Sequence, residues 1–192
     1  MPPRVVITAV CLSALFGLYL LTTTADFASM ASSPSKQSST ADLEVKLQSG
    51  SAPSSVEVTI SNKNSKNTVT FLKWDTPLDP QAINTGILVL KDVESGSKIP
   101  SPGMMVNRIR PPPRDELIEL TPGSSTSTTV PLTSPWIPTD GKKYQLQMQG
   151  DWSVVWAKPA RQVTDEELAA MTGDQPGLGK FDTGILEMEL KQ

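Results

Sequence analysis

Apolar and polar residues alternate with a period of two along much of the chain beyond residue 42. The alternation is strict in residues 43–47 and 56–60, and it is also clear in residues 143–149. Successive side chains of a β-strand point to opposite faces of a sheet, so this pattern predicts strands with one buried face. In residues 143–149 the predicted inward side chains are Tyr144, Leu146 and Met148.

Other strands are predicted where short apolar or β-branched runs lie between turn signals. The continuous apolar run in residues 86–91 predicts a fully buried strand. In residues 152–156 an unbroken strand would point Trp152 and Trp156 to the same inward face. The remaining predicted strands are 68–74, 104–109, 116–120, 125–132 and 184–190. Polar turns separate the strands at 62–67, 75–80, 94–97 and 121–123.

A single short helix is predicted near the C-terminus. Thr164 and Glu167 have the spacing of a capping box, and Gly173 is the residue we expect to end the helix in the left-handed conformation. Two turns of helix are unstable alone, so this helix must dock on the sheet. The whole pattern predicts an all-β protein, an immunoglobulin-like β-sandwich with one short C-terminal helix. A closed barrel is the alternative.

The N-terminal part of the chain has a different composition. An uncharged apolar run in residues 5–21 follows Arg4, and small residues follow it at 22–25. Residues 1–25 therefore predict a signal peptide, or a signal anchor if the segment is retained. Residues 26–41, rich in Ser, Thr and Ala, predict a flexible spacer before a β-sandwich domain in 42–192. We expect a secreted, extracellular protein that meets a membrane only if the N-terminal segment is retained.

The composition excludes the kinds of catalysis that depend on histidine or cysteine. The chain has no histidine, and its only cysteine, Cys11, lies in the predicted signal peptide. Zinc sites of the usual kind and Ser-His-Asp or thiolate catalysis therefore lack their residues. The pairs Asp75/Asp79 and Asp115/Glu116 carry the carboxylates that glycoside hydrolysis needs, but we interpret them as turn or edge residues. We predict no enzyme, no cofactor and no metal site, and a net charge of −3 does not favour nucleic-acid binding.

Four residues are candidates for a binding surface. Arg108, Arg110 and Arg114 surround the prolines of residues 111–113, a semi-rigid cationic segment that suits a carboxylate or an aromatic groove. The alternative is a solvated strand end whose charges prevent edge-to-edge aggregation. Trp136 lies in a segment bracketed by prolines, so we expect it to be the most exposed tryptophan and a candidate for stacking on sugars.

Several segments between residues 43 and 156 together carry a family resemblance. They are 43–47, the Asn-rich turn 62–67, 69–79, 107–110, 121–123 and the aromatic residues Tyr144, Trp152 and Trp156. These segments resemble the β-rich N-terminal region of secreted fungal metalloendopeptidases, the deuterolysin and peptidyl-Lys metalloendopeptidase families. In those enzymes the region precedes the catalytic domain, and the resemblance implies a pro-region.

The likeness stops short of the catalytic machinery. The zinc-binding His-Glu-x-x-His motif of those proteases has no counterpart here, because the chain has no histidine. The resemblance therefore implies a non-catalytic protein that binds another protein, with a metalloprotease as partner, acting as an inhibitor or a folding assistant. The alternative is an extracellular interaction module or a cell-wall module that binds polysaccharide.

Overall fold

Residues 42–173 and 179–191 are described by the structure, a computed structural model. The predicted signal peptide and spacer in residues 1–41 lie outside the described residues. The strands are β1 (Leu43–Ser49), β2 (Ser55–Asn62), β3 (Val69–Leu72), β4 (Leu88–Asp92), β5 (Lys98–Ile99), β6 (Leu117–Leu120), β7 (Ser125–Pro131), β8 (Asp140–Asp151), β9 (Val155–Trp156), β10 (Lys180–Asp182) and β11 (Leu186–Lys191). The helix α1 (Asp165–Ala170) and two 3-10 turns (Arg114–Glu116 and Ala160–Gln162) complete the described secondary structure.

The strands pair in three antiparallel sheets. The first sheet has the order β1-β2-β7, and the third has the order β6-β3-β9. The long strand β8 organises the second sheet, with β4 and then β5 on one side and both β10 and β11 on the other. None of these sheets closes on itself within the described residues, so the predicted sandwich is confirmed over the barrel.

The alternating segments form the predicted half-buried strands. Along β2 the side chains of Val56, Val58 and Ile60 are fully buried, while Glu57 between them is exposed. In β8 the predicted inward set of Tyr144, Leu146 and Met148 is likewise buried. The final strand also follows the prediction, because Leu190 is buried and the glutamates of β11 are exposed.

Trp152 and Trp156 belong to two different apolar clusters, which corrects the prediction that they share one face. Trp152 lies in the main core, edge-on to Phe71 and Phe181 at ring-centroid distances of 5.1 and 5.2 Å. Trp156 lies in a smaller cluster with Leu168 of α1. The reason is a break between β8 and β9, where residues 152–154 leave the extended ladder and the two-residue alternation is lost.

Two other local predictions are wrong. Residues 104–109 form no strand: the Met104 amide donates to the Asn84 carbonyl at 2.7 Å, and no strand pairs with this segment within the described residues. The capping box of α1 is confirmed in both of its hydrogen bonds, but the left-handed residue is Met171, with φ of 51°, and not Gly173. Gly173 instead allows close packing, since a Cβ there would lie 2.4 Å from the Val155 carbonyl oxygen.

Candidate functional site

Arg108 anchors the loop that connects β5 to β6. Its side chain is only 19 % exposed, and its guanidinium donates to the carboxylate of Asp79, whose side chain is fully buried. The guanidinium also lies 5.2 Å from the centre of the Trp74 ring, in the geometry of a cation–π contact, and 4.0 Å from Asp75. The first predicted surface arginine is therefore directed into the protein, where it holds the loop in place.

The Asp79 carboxylate organises the turn beneath this loop. It accepts hydrogen bonds from the backbone amides of Asp75 and Gln81, each at 2.9 Å, in addition to the contact with Arg108. Buried carboxylates are stable when their oxygen lone pairs are satisfied in this way. The interpretation of Asp79 as a turn residue is thus confirmed, and Asp79 also joins the turn to the arginine loop.

Arg114 fastens the other end of the loop to α1. Its guanidinium donates to the Val163 carbonyl at 2.9 Å and forms an ion pair with Asp165 in the first turn of the helix. Between Arg108 and Arg114, Pro112 is buried. Arg114 is half exposed, and its guanidinium is already bound by Val163 and Asp165. These contacts hold the C-terminal end of the proline segment in place.

A second ion pair strengthens the base of the same helix. Lys158 donates to both oxygens of the Glu167 carboxylate, at 2.6 and 2.7 Å. The hydrogen bond from Lys158 lowers the pKa of Glu167 below its ordinary value, and the backbone amide of Thr164 lowers it further. The carboxylate therefore caps the helix and pairs with the lysine in its ionised form.

Residues 104–110, held by the hydrogen bond from the Met104 amide to Asn84 and by Arg108, present an apolar and cationic surface. Met105 is 99 % exposed, Ile109 is 82 % exposed and Met104 is 53 % exposed, and Arg110 is also exposed. These three apolar residues are among the five most exposed large hydrophobic side chains of the described part of the chain. We call residues 104–110 the anchored loop. The anchored loop contains two predicted site residues, the inward-directed Arg108 and the exposed Arg110, together with apolar residues that the strand prediction had not marked as exposed.

Trp136 is the most exposed tryptophan of the described residues, as predicted, but it is not a fully open ring. The residue is partly buried and packs against the main core cluster. Its indole Nε1 is buried and has no hydrogen-bond partner within the described residues. Sugar binding by tryptophan uses an open ring face, so this position presents only part of such a surface.

The described residues contain no group of three or more Asp, Glu, His or Cys side chains placed to hold a metal ion. Within the same residues no helix has the length and apolar character needed to span a membrane. The exposed side chains of the anchored loop are a guanidinium, two thioethers and a branched aliphatic group.

Comparison with known proteins identifies the domain family. Residues 42–190 match a family model described as an immunoglobulin-like domain. The chain is also 36 % identical, over 126 residues, to an uncharacterized secreted protein of Arthroderma benhamiae. That alignment covers 64 % of this chain and 63 % of the relative, so the chain spans less than two thirds of the relative's length. The predicted immunoglobulin-like sandwich is confirmed, and the chain belongs to the immunoglobulin-like domain family.

Proposed function

We propose that the protein is a secreted, non-catalytic module that binds another protein through the anchored loop. The observation that carries this proposal is the exposure of Met105 and Ile109 beside the exposed Arg110. Apolar side chains that stay in water on a well-packed domain are typical of interaction sites. An arginine next to apolar side chains is typical of the centre of a protein interface.

The anchoring of the loop supports binding energetically. Ordering a loop on association costs free energy, and a loop that is already ordered avoids much of that cost. The hydrogen bond from the Met104 amide to Asn84 on one side, and the contacts of Arg108 and Arg114 on the other, hold the chain before a partner arrives. Methionine side chains are flexible and polarizable, so Met104 and Met105 adapt to the partner's shape while the backbone stays fixed.

These properties define the partner's surface. It carries a shallow apolar recess for Ile109 and Met105, and a carboxylate within reach of Arg110, because a charge-assisted hydrogen bond is the strongest contact that a guanidinium makes. A metalloprotease of the deuterolysin class is the first partner to test. The resemblance of residues 43–156 to the pro-region of those enzymes supports this choice, with inhibition or folding assistance as the effect.

Extracellular placement is supported by two observations. The N-terminal residues have the pattern of a signal peptide, and the relative from Arthroderma benhamiae is described as secreted. Expression of the full chain in a fungal host, followed by N-terminal sequencing of protein from the medium, tests it. We expect the sequence to begin after residue 25, and protein retained in membranes would contradict secretion.

The binding proposal is tested with the purified protein and a deuterolysin-class protease. We expect binding in the micromolar range or tighter, weakened at least about tenfold by the double substitution Met105→Ser and Ile109→Ser, since each removes a buried apolar contact. Ile185→Ser is the matched control, because Ile185 is 63 % exposed outside the loop. Equal binding by the double variant and the control would reject the loop as the site.

The wider claim of protein binding is tested without choosing a partner. The wild-type protein, the loop double variant and the Ile185→Ser control are each immobilised and exposed to culture medium of the fungal host. We expect at least one protein to be captured by the wild type and the control but not by the double variant. Identical capture by all three would contradict a binding role for the anchored loop.

A further inference from the structure

A groove of about 460 Å³ lies beside the outer edge of β7. On its other edge β7 pairs with β2 through seven consecutive residues. No strand pairs with the outer edge within the described residues, since the sheet order ends at β7. The turn formed by residues 77–80, together with Lys73 and Ile118, lines the rest of the groove.

The inward side chains of β7 show that the sandwich is open at this edge. Thr126, Thr128 and Val130 lie opposite the fully buried Ile60, Val58 and Val56 of β2, so they point to the inner face of the sheet. Both threonines are nevertheless only partly buried, whereas Val130 is buried. The inner face of the sheet is therefore less covered beside the middle of β7 than beside Val130.

The strand order leaves the same edge open, because β7 ends a three-stranded sheet within the described residues. An edge strand exposes a row of backbone N–H and C=O groups whose spacing matches another extended chain. We propose that the groove accepts an extended segment of a partner protein, which adds to β7 as a fourth strand.

The lining residues specify the chemistry of that segment. The Asp79 carboxylate is occupied by Arg108 and by two backbone amides, whereas Lys73 has no ion pair within the described residues. The groove therefore favours a segment with an Asp or Glu at the end nearest Lys73. Alternate side chains of the segment point inward and are small and apolar, because Leu78, Ile118 and Val130 line the groove.

This site does not depend on the anchored loop. The groove uses backbone groups of β7, while the loop uses the side chains of Met105, Ile109 and Arg110. Loss of binding at one surface leaves the other intact, so the failure of either proposal is seen separately.

The probe is a fluorescent, N-acetylated peptide of about eight residues that alternates valine and serine and ends in aspartate, a length that matches β7. Anisotropy with the full chain measures its affinity. We expect saturable binding, and slower amide hydrogen exchange in residues 126–130 when the peptide is present. The same peptide N-methylated at alternate residues keeps its side chains but loses its backbone donors, and we expect it to bind at least about tenfold more weakly.

Substitutions in the protein locate the site. Thr128→Lys places a long charged side chain in the groove, and we expect it to weaken peptide binding at least about tenfold, by steric exclusion. Ser125→Lys is the matched control, because Ser125 is exposed in the same strand and does not line the groove. Lys73→Glu is expected to weaken binding of the aspartate peptide and to strengthen binding of a peptide that ends in lysine.

Three results would overturn the inference. One is equal affinity for the peptide and its N-methylated form, since binding would then not use the strand edge. Another is equal binding by the Thr128→Lys and Ser125→Lys proteins when both have native circular dichroism spectra. The last is a stable dimer of the protein that Thr128→Lys dissociates, because a second copy would then occupy the groove.

Discussion

Arg108 and Asp79 form the contact on which the candidate surface depends. The two residues lie 29 positions apart, and their side chains are the least exposed of the ion pairs described. A buried charge that loses its partner destabilises the folded state, because it stays out of water without the attraction that compensated for desolvation. The pair therefore acts as a structural link between the turn of residues 75–80 and the anchored loop.

Replacing Arg108 tests this link. We expect Arg108→Ala to lower the free energy of unfolding by about 3 kcal/mol, because Asp79 stays buried and the contact with Trp74 is lost. Arg110→Ala is the matched control and should cost less than about 0.5 kcal/mol, since Arg110 is exposed. Urea unfolding measures both values, and equal losses would show that Arg108 does not anchor the loop.

Gly173 gives a second test at the residue scale. A methyl group added there would meet the backbone of Val155 at 2.4 Å, and backbone atoms cannot move aside as a flexible side chain can. We expect Gly173→Ala to cost about 1–3 kcal/mol, the usual range for overpacking. Thermal unfolding should show a lower midpoint than for Ala170→Ser on the exposed end of α1. An unchanged midpoint would mean that this segment shifts freely away from β9.

At the scale of elements, the clearest short-range patterns gave correct predictions. Strict alternation predicted the strands at 43–47, 56–60 and 143–149, and the spacing of Thr164 and Glu167 predicted the capping box of α1; all are confirmed. Residues 104–109 have a similar composition, but a strand needs a partner edge, which no local pattern reveals. The very short strands β5 and β10 give too few alternating positions to be recognised.

The candidate site was predictable only in part for the same reason. The prolines and arginines of residues 108–114 drew attention to this region, and Arg110 is exposed there. The inward orientation of Arg108 depends on Asp79, far along the chain, and the ion pair of Arg114 depends on Asp165. The exposure of Met105 and Ile109 depends on how residues 104–110 pack in the folded chain, so the local pattern could not predict it.

The helix α1 provides a test of electrostatics. The pKa of Glu167 is lowered by Lys158, so the folded state binds this proton less readily than the unfolded chain does. Its stabilising effect is therefore present above the ordinary pKa of 4.5 and is lost as the pH falls through the lowered value. We expect Glu167→Gln to lower the melting temperature at pH 7, with the difference from wild type shrinking as the solution is acidified below pH 4.5.

Glu166→Gln is the control for this experiment. Glu166 is exposed in the same turn of α1 and has no ion pair within the described residues. The Glu166→Gln substitution removes the same charge from the start of the helix and leaves the contact between Glu167 and Lys158 in place. We expect a smaller change in melting temperature, and equal changes for the two variants across the pH range would contradict the role of the Lys158 pair.

At the scale of the whole molecule, the fold is held by one large apolar core that receives side chains from all three sheets. Trp152 lies within it, between two phenylalanine rings. Small secreted domains often depend on disulfides or metals, but a domain of this size buries enough apolar surface to fold without them. No residue after Cys11 supplies a thiol or an imidazole.

We therefore expect the purified protein to keep the same melting temperature, within about 1 °C, in a metal chelator and in a thiol reductant. Differential scanning calorimetry measures this directly. The contrasting variant is Trp152→Ala, which should lower the free energy of unfolding by about 3–5 kcal/mol because it opens a cavity between Phe71 and Phe181. A marked decrease in chelator would reveal a bound ion that contributes to stability.

The pairing of β2 with β7 also limits how early during synthesis the protein can fold. Thr59 and Ser127, bonded across these strands, are 68 positions apart, so most of the chain must be synthesised before the ladder forms. Strand pairs so far apart in sequence form slowly, because the chain loses conformational entropy before the stabilising contacts are made. Arg114 lies inside that span and its partner Asp165 lies beyond it, so we expect the C-terminal end of the arginine segment to be fastened only after residue 165 has been synthesised.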